Sequence, residues 1–298
     1  MSSFWSGWII VISLFNIFGC AALLFWTRKM PVAHVDADNT TGHEYDGIKE
    51  YNNPLPRWWM WMFVGTIIFA LIYLALFPGL GNFPGILGWT SHKEHDEGIA
   101  EWQAEYGPMY AAFYKQSIPD LIKDPKALRI GQRIFLNNCA ACHGSDARGA
   151  RGFPNLTDND WLYGGTPDRI EETILNGRQG GMPTWGPILG KEKIEQVANY
   201  VLSLSGRDVD ADLAAKGKQV FMSNCVACHG PDGKGNQMIG APNLTDTIWL
   251  YGGSKSTVIK SITEGRRGRM PSWKDRLGPE KVHLVAAYVY SLSHGNSM

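Results

Sequence analysis

Cysteine is scarce in this 298-residue chain, with only five, and four of those fall in two short strings. Net charge is missing too, since 28 Lys and Arg meet 28 Asp and Glu. The balance drifts from −5 over residues 1–125 through +1 over 126–206 to +4 over 207–298, neither basic enough nor patterned to suggest a nucleic-acid partner. Charged residues are absent altogether from Phe4 to Trp26, and no Lys or Arg precedes Arg28. A removable signal peptide places positive charge before its apolar run and a small-residue cleavage site after it. Neither is here, so the run reads as a retained anchor.

That run matches the ~20 apolar residues needed to cross a bilayer core. A second extends from Trp58 to Phe77, opened by Trp58, Trp59 and Trp61, whose indoles suit the water–lipid boundary, and closed by Pro78-Gly79. Runs this long without charge are rare in a soluble core, the other reading open to them. Arg28, Lys29, Lys49 and Arg57 lie in the connection and only Lys93 follows closely after the second run, so the connection is expected on the cytoplasmic side and both termini on the other. Cys20 sits alone within the first run and reads as a small packed hydrophobe. Between Ser91 and Ile118, acids (Glu94, Asp96, Glu97, Glu101, Glu105) alternate with Trp102, Tyr106, Tyr110, Phe113 and Tyr114. An amphipathic helical linker is expected there, its acids a solvated face rather than an ion site.

The four paired cysteines form Cys139-Ala140-Ala141-Cys142-His143 and Cys225-Val226-Ala227-Cys228-His229. Cys-x-x-Cys-His is the pattern of covalent haem c attachment. Two thiols one helical turn apart each add across a haem vinyl group, and the adjoining imidazole is placed under the iron. Zinc ribbons and thioredoxin-like dithiols also use Cys-x-x-Cys. Neither explains an immediate His present twice, and zinc ribbons separate their pairs by only about 15–20 residues, whereas the two histidines here are 86 positions apart.

The C-terminal part is an internal repeat. Gly131 and Phe135 match Gly217 and Phe221 at the offset of the two motifs; after a two-residue insertion Pro154-Asn155-Leu156-Thr157-Asp158 matches Pro242-Asn243-Leu244-Thr245-Asp246, and Trp161-Leu162-Tyr163-Gly164-Gly165 matches Trp249-Leu250-Tyr251-Gly252-Gly253. Met182-Pro183 matches Met270-Pro271, and Val197 with Tyr200 matches Val285 with Tyr288. An iron held by His143 or His229 needs a partner on its other face, and a thioether there raises the reduction potential. Met182 and Met270 occupy the one repeated methionine position, in Gly-rich loops after Gly177-Arg178 and Gly265-Arg266, whereas Met222 aligns with Leu136 and Met238 lies by the insertion. Core packing is the ordinary alternative for these methionines. His283 aligns with Glu195 and reads as a core or solvated histidine rather than a ligand. Arg266, Arg267 and Arg269 suit haem propionates, a docking patch for an acidic partner, or plain solvated surface.

Each half resembles a class I cytochrome c. The resemblance implies that Gly131 and Phe135 cross Val197 and Tyr200, that Gly217 and Phe221 cross Val285 and Tyr288, and that the carbonyls of Pro154 and Pro242 orient the axial imidazoles. Over its whole length, with Tyr45-Asp46-Gly47-Ile48 and Tyr51-Asn52-Asn53-Pro54-Leu55-Pro56-Arg57-Trp58-Trp59 in the loop between the apolar runs, the chain is similar to the dihaem subunits of cbb3-type cytochrome c oxidases. The expected fold is mainly α: a first transmembrane helix and cytoplasmic loop (1–57), a second transmembrane helix and exit loop (58–90), the acidic linker (91–125), and two class I cytochrome c-like domains (126–206 and 207–298). The resemblance implies two haem c groups and a two-pass protein of the bacterial inner membrane with its haem domains in the periplasm. Electrons would pass from a soluble cytochrome c donor through both haems and a membrane-anchored monohaem subunit to the haem–copper subunit that reduces oxygen. A subunit of another membrane complex, such as a nitric oxide reductase or a dehydrogenase, and a dihaem peroxidase are the competing readings; the peroxidase needs one haem with a vacant or displaceable position, and two equivalent Met loops argue against it.

Overall fold

The structure, a computed structural model, describes residues 1–28, 36–37, 39–53 and 55–294. Lys29 and Pro54, used above, lie outside them. The chain divides into two compact units, residues 1–105 and 106–298.

The first unit holds α1 (Ser3–Thr27) and α2 (Arg57–Leu76), both long and apolar enough to cross a membrane. They form a hairpin. Asn82, just past α2, donates its backbone N–H to Ser6 Oγ (2.9 Å) and its side chain to the Met1 carbonyl (3.2 Å), while Arg28 reaches Met60 Sδ (3.4 Å) at the opposite end. Their flanks stay uncovered, with Phe15 75% and Trp58 68% exposed. Between them β1 (Thr40–Tyr45) and β2 (Ile48–Tyr51) pair antiparallel, Tyr45 opposite Ile48. Asp46 (φ 49°) and Gly47 (φ 83°) make the two-residue turn, the left-handed pair that matches strand twist in a tight hairpin. α3 (Ser91–Tyr114) follows and leads into the second unit, its five acids exposed. Further along it, Phe113 is buried with Met109 and Tyr110 beside it.

In the second unit α4 (Ile118–Leu121) precedes α5 (Pro125–Asn138), which Asp124 caps by accepting from Lys126 and Ala127 N–H. One-turn α6 (Ala140–His143), α7 (Pro167–Asn176), β3 (Arg178–Met182) and α8 (Gly186–Leu204), kinked at Gly190, complete the first repeat. The second supplies α9 (Ala211–Asn224), α10 (Val226–His229), α11 (Lys255–Glu264), β4 (Arg266–Met270), α12 (Lys274–Leu277) and α13 (Pro279–His294).

The repeats exchange their C-terminal helices. Phe135 of α5 packs at a tilt against Tyr288 of α13 with 5.4 Å between ring centroids, and Phe221 of α9 likewise against Tyr200 of α8 at 5.2 Å. A Cβ on Gly131 would strike the Leu284 carbonyl, and one on Gly217 the Gln196 carbonyl. One core joins Phe135, Ile170 and Ile174 with Val282, Leu284 and Val285; the other joins Val197, Val201 and Leu202 with Phe221, Val258 and Ile262. The expected crossings of Gly131 and Phe135 with Val197 and Tyr200, and of Gly217 and Phe221 with Val285 and Tyr288, are therefore corrected: the partners are swapped. Segments 126–206 and 207–298 are copies in sequence, but each core takes helices from both. The cause is local. Only residues 205–210 join α8 to α9, and so short a connection makes consecutive helices antiparallel neighbours. Because the copies carry the same complementary faces, α13 is left to close on α5, as in domain swapping.

Candidate functional site

Two sites of one design emerge, beginning where α5 and α9 end. Cys139 caps α5, and the chain turns once through α6, with His143 N–H donating to the Cys139 carbonyl at 3.0 Å. Gly144 (φ 79°) stops the turn, and the loop returns so that Pro154 O meets His143 Nδ1 at 3.0 Å. A prolyl carbonyl only accepts, so Nδ1 carries the proton and Nε2 is left with a free lone pair. In the second site the same arrangement joins His229 Nδ1 to Pro242 O at 3.2 Å. Burial holds both imidazoles below the ordinary histidine range against the raising effect of the Pro bond. Burial, reinforced by the neighbouring Cys142 or Cys228, pushes the Cys139 and Cys225 thiols up to about 11. Among the described residues no group of three or more His, Cys, Asp and Glu is arranged to hold a metal ion by itself.

The repeated Pro-Asn-Leu-Thr string has a structural purpose. Asn155 Oδ1 accepts from Thr157 N (2.9 Å) and Oγ1 (2.8 Å), and Asn243 does the same for Thr245. These turns fix the loops carrying the Pro carbonyls.

Comparison with known proteins agrees along the chain. Residues 37–84 match the family described as the N-terminal domain of cytochrome oxidase-cbb3, FixP, and residues 126–201 and 212–289 match cytochrome c oxidase, cbb3-type, subunit III. The cbb3-type cytochrome c oxidase subunit CcoP of Rubrivivax gelatinosus is 49% identical, covering 100% of this chain and 99% of its own. FixP of Azorhizobium caulinodans is 45% identical (90% and 98% covered), and CcoP of Cereibacter sphaeroides 40% identical (86% and 95%). The chain belongs to the CcoP/FixP family. It is accordingly an electron-transfer subunit of a cbb3-type oxidase, carrying c-type haem and assembling with other oxidase subunits.

The residues present fit such a group. Five buried side-chain polar atoms lack a hydrogen-bond partner among the described residues, and four are two repeated pairs: Trp161 Nε1 with Arg178 Nη2, and Trp249 Nε1 with Arg266 Nη2. Each guanidinium is fixed from behind. Arg178 lies over the Tyr163 ring at 5.0 Å, donates Nε–H to Thr173 (2.9 Å) and pairs at longer range with Glu172, whose carboxylate lies 3.4 Å from both Nη1 and Nη2; Arg266 lies over Tyr251 at 4.4 Å and donates to Ser261 (2.9 Å). Buried donors left over in protein alone call for an acceptor, and an anionic carboxylate satisfies an indole N–H and a guanidinium together. Strict repetition of Trp and of Gly-Arg was the available sequence signal for these pairs. Of the three arginines beside Met270, Arg266 turns inward while Arg267 and Arg269 are exposed.

The methionines are half-buried. Met270 packs on the core that contains Phe135 and touches Cys139; Met182 packs on the core of Phe221 and Cys225. His283 is not near a ligand role: its Nδ1 meets Glu171 (2.9 Å) and its Nε2 the Gln116 carbonyl (2.9 Å), with Tyr114 edge-on at 5.3 Å. It ties the segment after α3 to α13.

Proposed function

We propose that the subunit carries two haem c groups, thioether-linked through Cys139 and Cys142 and through Cys225 and Cys228, and relays single electrons between them. Both halves take the class I cytochrome c form, with exchanged helices. The observation that carries this reading is the one-turn Cys-x-x-Cys-His helix, built twice, with its imidazole locked by a prolyl carbonyl. His143 and His229 would each bind iron through Nε2, and Met182 and Met270 would supply thioether ligands. Pro154 and Pro242 hold the imidazoles in one tautomer and raise their basicity as ligands. Trp161 with Arg178, and Trp249 with Arg266, hold the propionates. Bound haem would supply a one-electron couple, and the protein's part would be to ligate the iron, exclude water and hold the surrounding residues still, so that little reorganises when charge arrives.

α1 and α2 cross the bacterial inner membrane, with Arg28, Lys49 and Arg57 on the cytoplasmic side and the haem-bearing unit in the periplasm. A soluble cytochrome c is the donor, and electrons leave through a membrane-anchored monohaem subunit to the oxygen-reducing haem–copper subunit. The test is a visible and near-infrared spectrum of the purified complex in both oxidation states, with haem c counted by pyridine haemochrome. Two haems in this chain, a sulfur-to-iron band in the ferric state and a copurifying haem–copper subunit are expected. One haem, or carbon monoxide binding by the unaltered reduced chain, would overturn the relay.

A further inference from the structure

We infer that the outer face of the β3/β4 ribbon, with the loop that follows β4, is the surface on which an acidic one-electron donor protein docks: Arg267, Arg269, Lys274 and Arg276 supply the cationic side of the contact. This rests on the relay proposed above and concerns where its donor arrives.

The ribbon has two faces of different kind. β3 and β4 run antiparallel with Gln179 opposite Arg269 and Gly181 opposite Arg267, so these four share one face, while Arg178, Met182, Arg266 and Met270 share the other. Every residue of the first set is exposed, and every residue of the second is half-buried. Comparison of the two repeats separates the tasks of the faces. Inner positions recur, Arg178 as Arg266 and Met182 as Met270, whereas Arg267 and Arg269 stand where the first copy has Gln179 and Gly181. The loop beyond the strand departs in the same direction, with Lys274 and Arg276 in place of Gly186 and Ile188. What both sites need is duplicated. The added cations serve something that only the second copy meets.

Charge on this surface is unmatched. The side chains of Arg267 and Arg269 make no ion pair or hydrogen bond among the described residues, and Arg276 lies over the Trp273 ring at 5.5 Å. Between Gly265 and Gly278 Asp275 is the single acid against five basic residues, of which Arg266 alone turns inward; the matching stretch 177–190 has Arg178, also inward, and no other charged residue. Neighbouring acids are engaged elsewhere, Glu264 with Lys260 (3.8 Å) and Glu172 with Arg169 (2.8 Å) and Arg178 (3.4 Å). A patch of one sign draws in a partner of the other and raises the rate of encounter. Transient redox encounters are among the smallest protein interfaces, below about 1,200 Å², so a short ribbon and one loop suffice. What lies beneath makes the partner a redox protein: one backbone layer separates Arg267 and Arg269 from the inner residues of the two sites. The docked protein gives up one electron and the relay takes it, with no bond made or broken.

The test measures docking and electron entry separately. Flavodoxin, a strongly acidic one-electron protein, is the probe, and the full-length chain is held in nanodiscs of phosphatidylcholine. Arg267→Glu with Arg269→Glu is expected to slow flavodoxin association, read by surface plasmon resonance, by about tenfold or more at low ionic strength. The difference is expected to vanish near 1 M salt, where the Debye length is about 3 Å. Lys216→Glu with Lys218→Glu, the same charge change at exposed positions of α9, is expected to alter the rate less than about twofold. Haem reduction should follow: slower from flavodoxin hydroquinone, unchanged from lumiflavin semiquinone, which is small and neutral and needs no docking face. Equal losses from the two double variants would reduce the effect to net charge and overturn the proposal, as would association indifferent to Arg267 and Arg269. Slower reduction by lumiflavin as well would place these arginines in the sites themselves and likewise overturn it. Phosphatidylglycerol nanodiscs that slow flavodoxin on the unaltered chain but not on the Arg267 and Arg269 variant would assign the patch to the lipid surface instead. Association is read whether or not haem is bound, so a chain without haem would refute the relay, whereas a haem-loaded chain with unaltered association would refute the docking alone.

Discussion

Exchanged helix packing makes a quantitative demand on pairs of aromatic residues. Phe135 is fully buried and its ring lies 5.4 Å from that of Tyr288 at an interplanar angle of 55°. Removing the Phe135 side chain opens a core cavity worth about 3–5 kcal/mol. The aromatic contact itself contributes about 0.5–1.5 kcal/mol beyond buried area, and this smaller quantity discriminates between topologies. In a double-mutant cycle, Phe135→Ala with Tyr288→Ala is expected to show about 1 kcal/mol of coupling. Phe135→Ala with Tyr200→Ala, whose rings sit in different cores, is expected to add within about 0.3–0.5 kcal/mol. Phe221 provides the mirror cycle, coupled to Tyr200 and additive with Tyr288. Denaturant unfolding of the detergent-solubilised holoprotein, followed by far-ultraviolet circular dichroism, reads all of these. Coupling between Phe135 and Tyr200 with additivity between Phe135 and Tyr288 would refute the exchange of helices.

Asp160 carries a carboxyl pushed up to about 6 by burial and by Asp246 and Asp158, so its neutral form is favoured by folding and the associated stability is lost as pH rises from about 4 to 6; after discounting for partial exposure, Asp160→Asn should stabilise by about 1 kcal/mol at pH 7 and by nothing at pH 4, and a gain equal at both values in thermal unfolding would sink the assignment. Burial pulls the His283 pKa down, but the bond to Glu171, the bond to the Gln116 carbonyl and the Glu171 charge outweigh it, and the net shift is upward from 6.5. Its contribution is therefore complete below pH 6.5 and lost as pH rises through the raised value; His283→Gln should flatten that slope and speed proteolysis near Gln116 at pH 6, and identical pH profiles would show that the imidazole carries no charge there. Arg178→Gln should lower the midpoint potential of one haem and spare the other, because an uncompensated propionate favours the ferric state; unchanged potentials in a redox titration would remove Arg178 from the propionate site.

What the sequence discloses follows from how local each signal is. The two long apolar helices are legible because an uninterrupted apolar run leaves few other conformations, and the Cys-x-x-Cys-His turns because all three residues lie within one helical turn. The Asp46-Gly47 hairpin was equally local: that dipeptide beside Tyr45 and Ile48 is a strong turn signal, though here the string was informative mainly as a family mark. Exchange of helices is invisible for a physical reason. Gly131 and Phe135 fit Val197 with Tyr200 as well as they fit Val285 with Tyr288, since the repeats carry the same complementary surfaces, and only the length of the 205–210 connection breaks the tie. The Trp161 and Arg178 pair needed three dimensions as well, because an unsatisfied donor is defined by what surrounds it.

The strand pair explains why a relay would keep such an arrangement. From Arg178 to Met182 the chain advances four residues in extended form, about 13 Å at some 3.3 Å per residue, and β4 covers the same span in the opposite direction. One end of each strand holds the buried arginine of one site and the other end the methionine that packs against the neighbouring core. The separation of the sites is thereby set by ten residues of hydrogen-bonded ladder instead of by a flexible tether. Two independent bead-like domains joined through residues 205–210 would let the cofactors drift relative to each other, and electron transfer falls steeply with distance. On the proposed relay, this exchange of helices would hold a cofactor-to-cofactor distance, once set by folding, through every turnover.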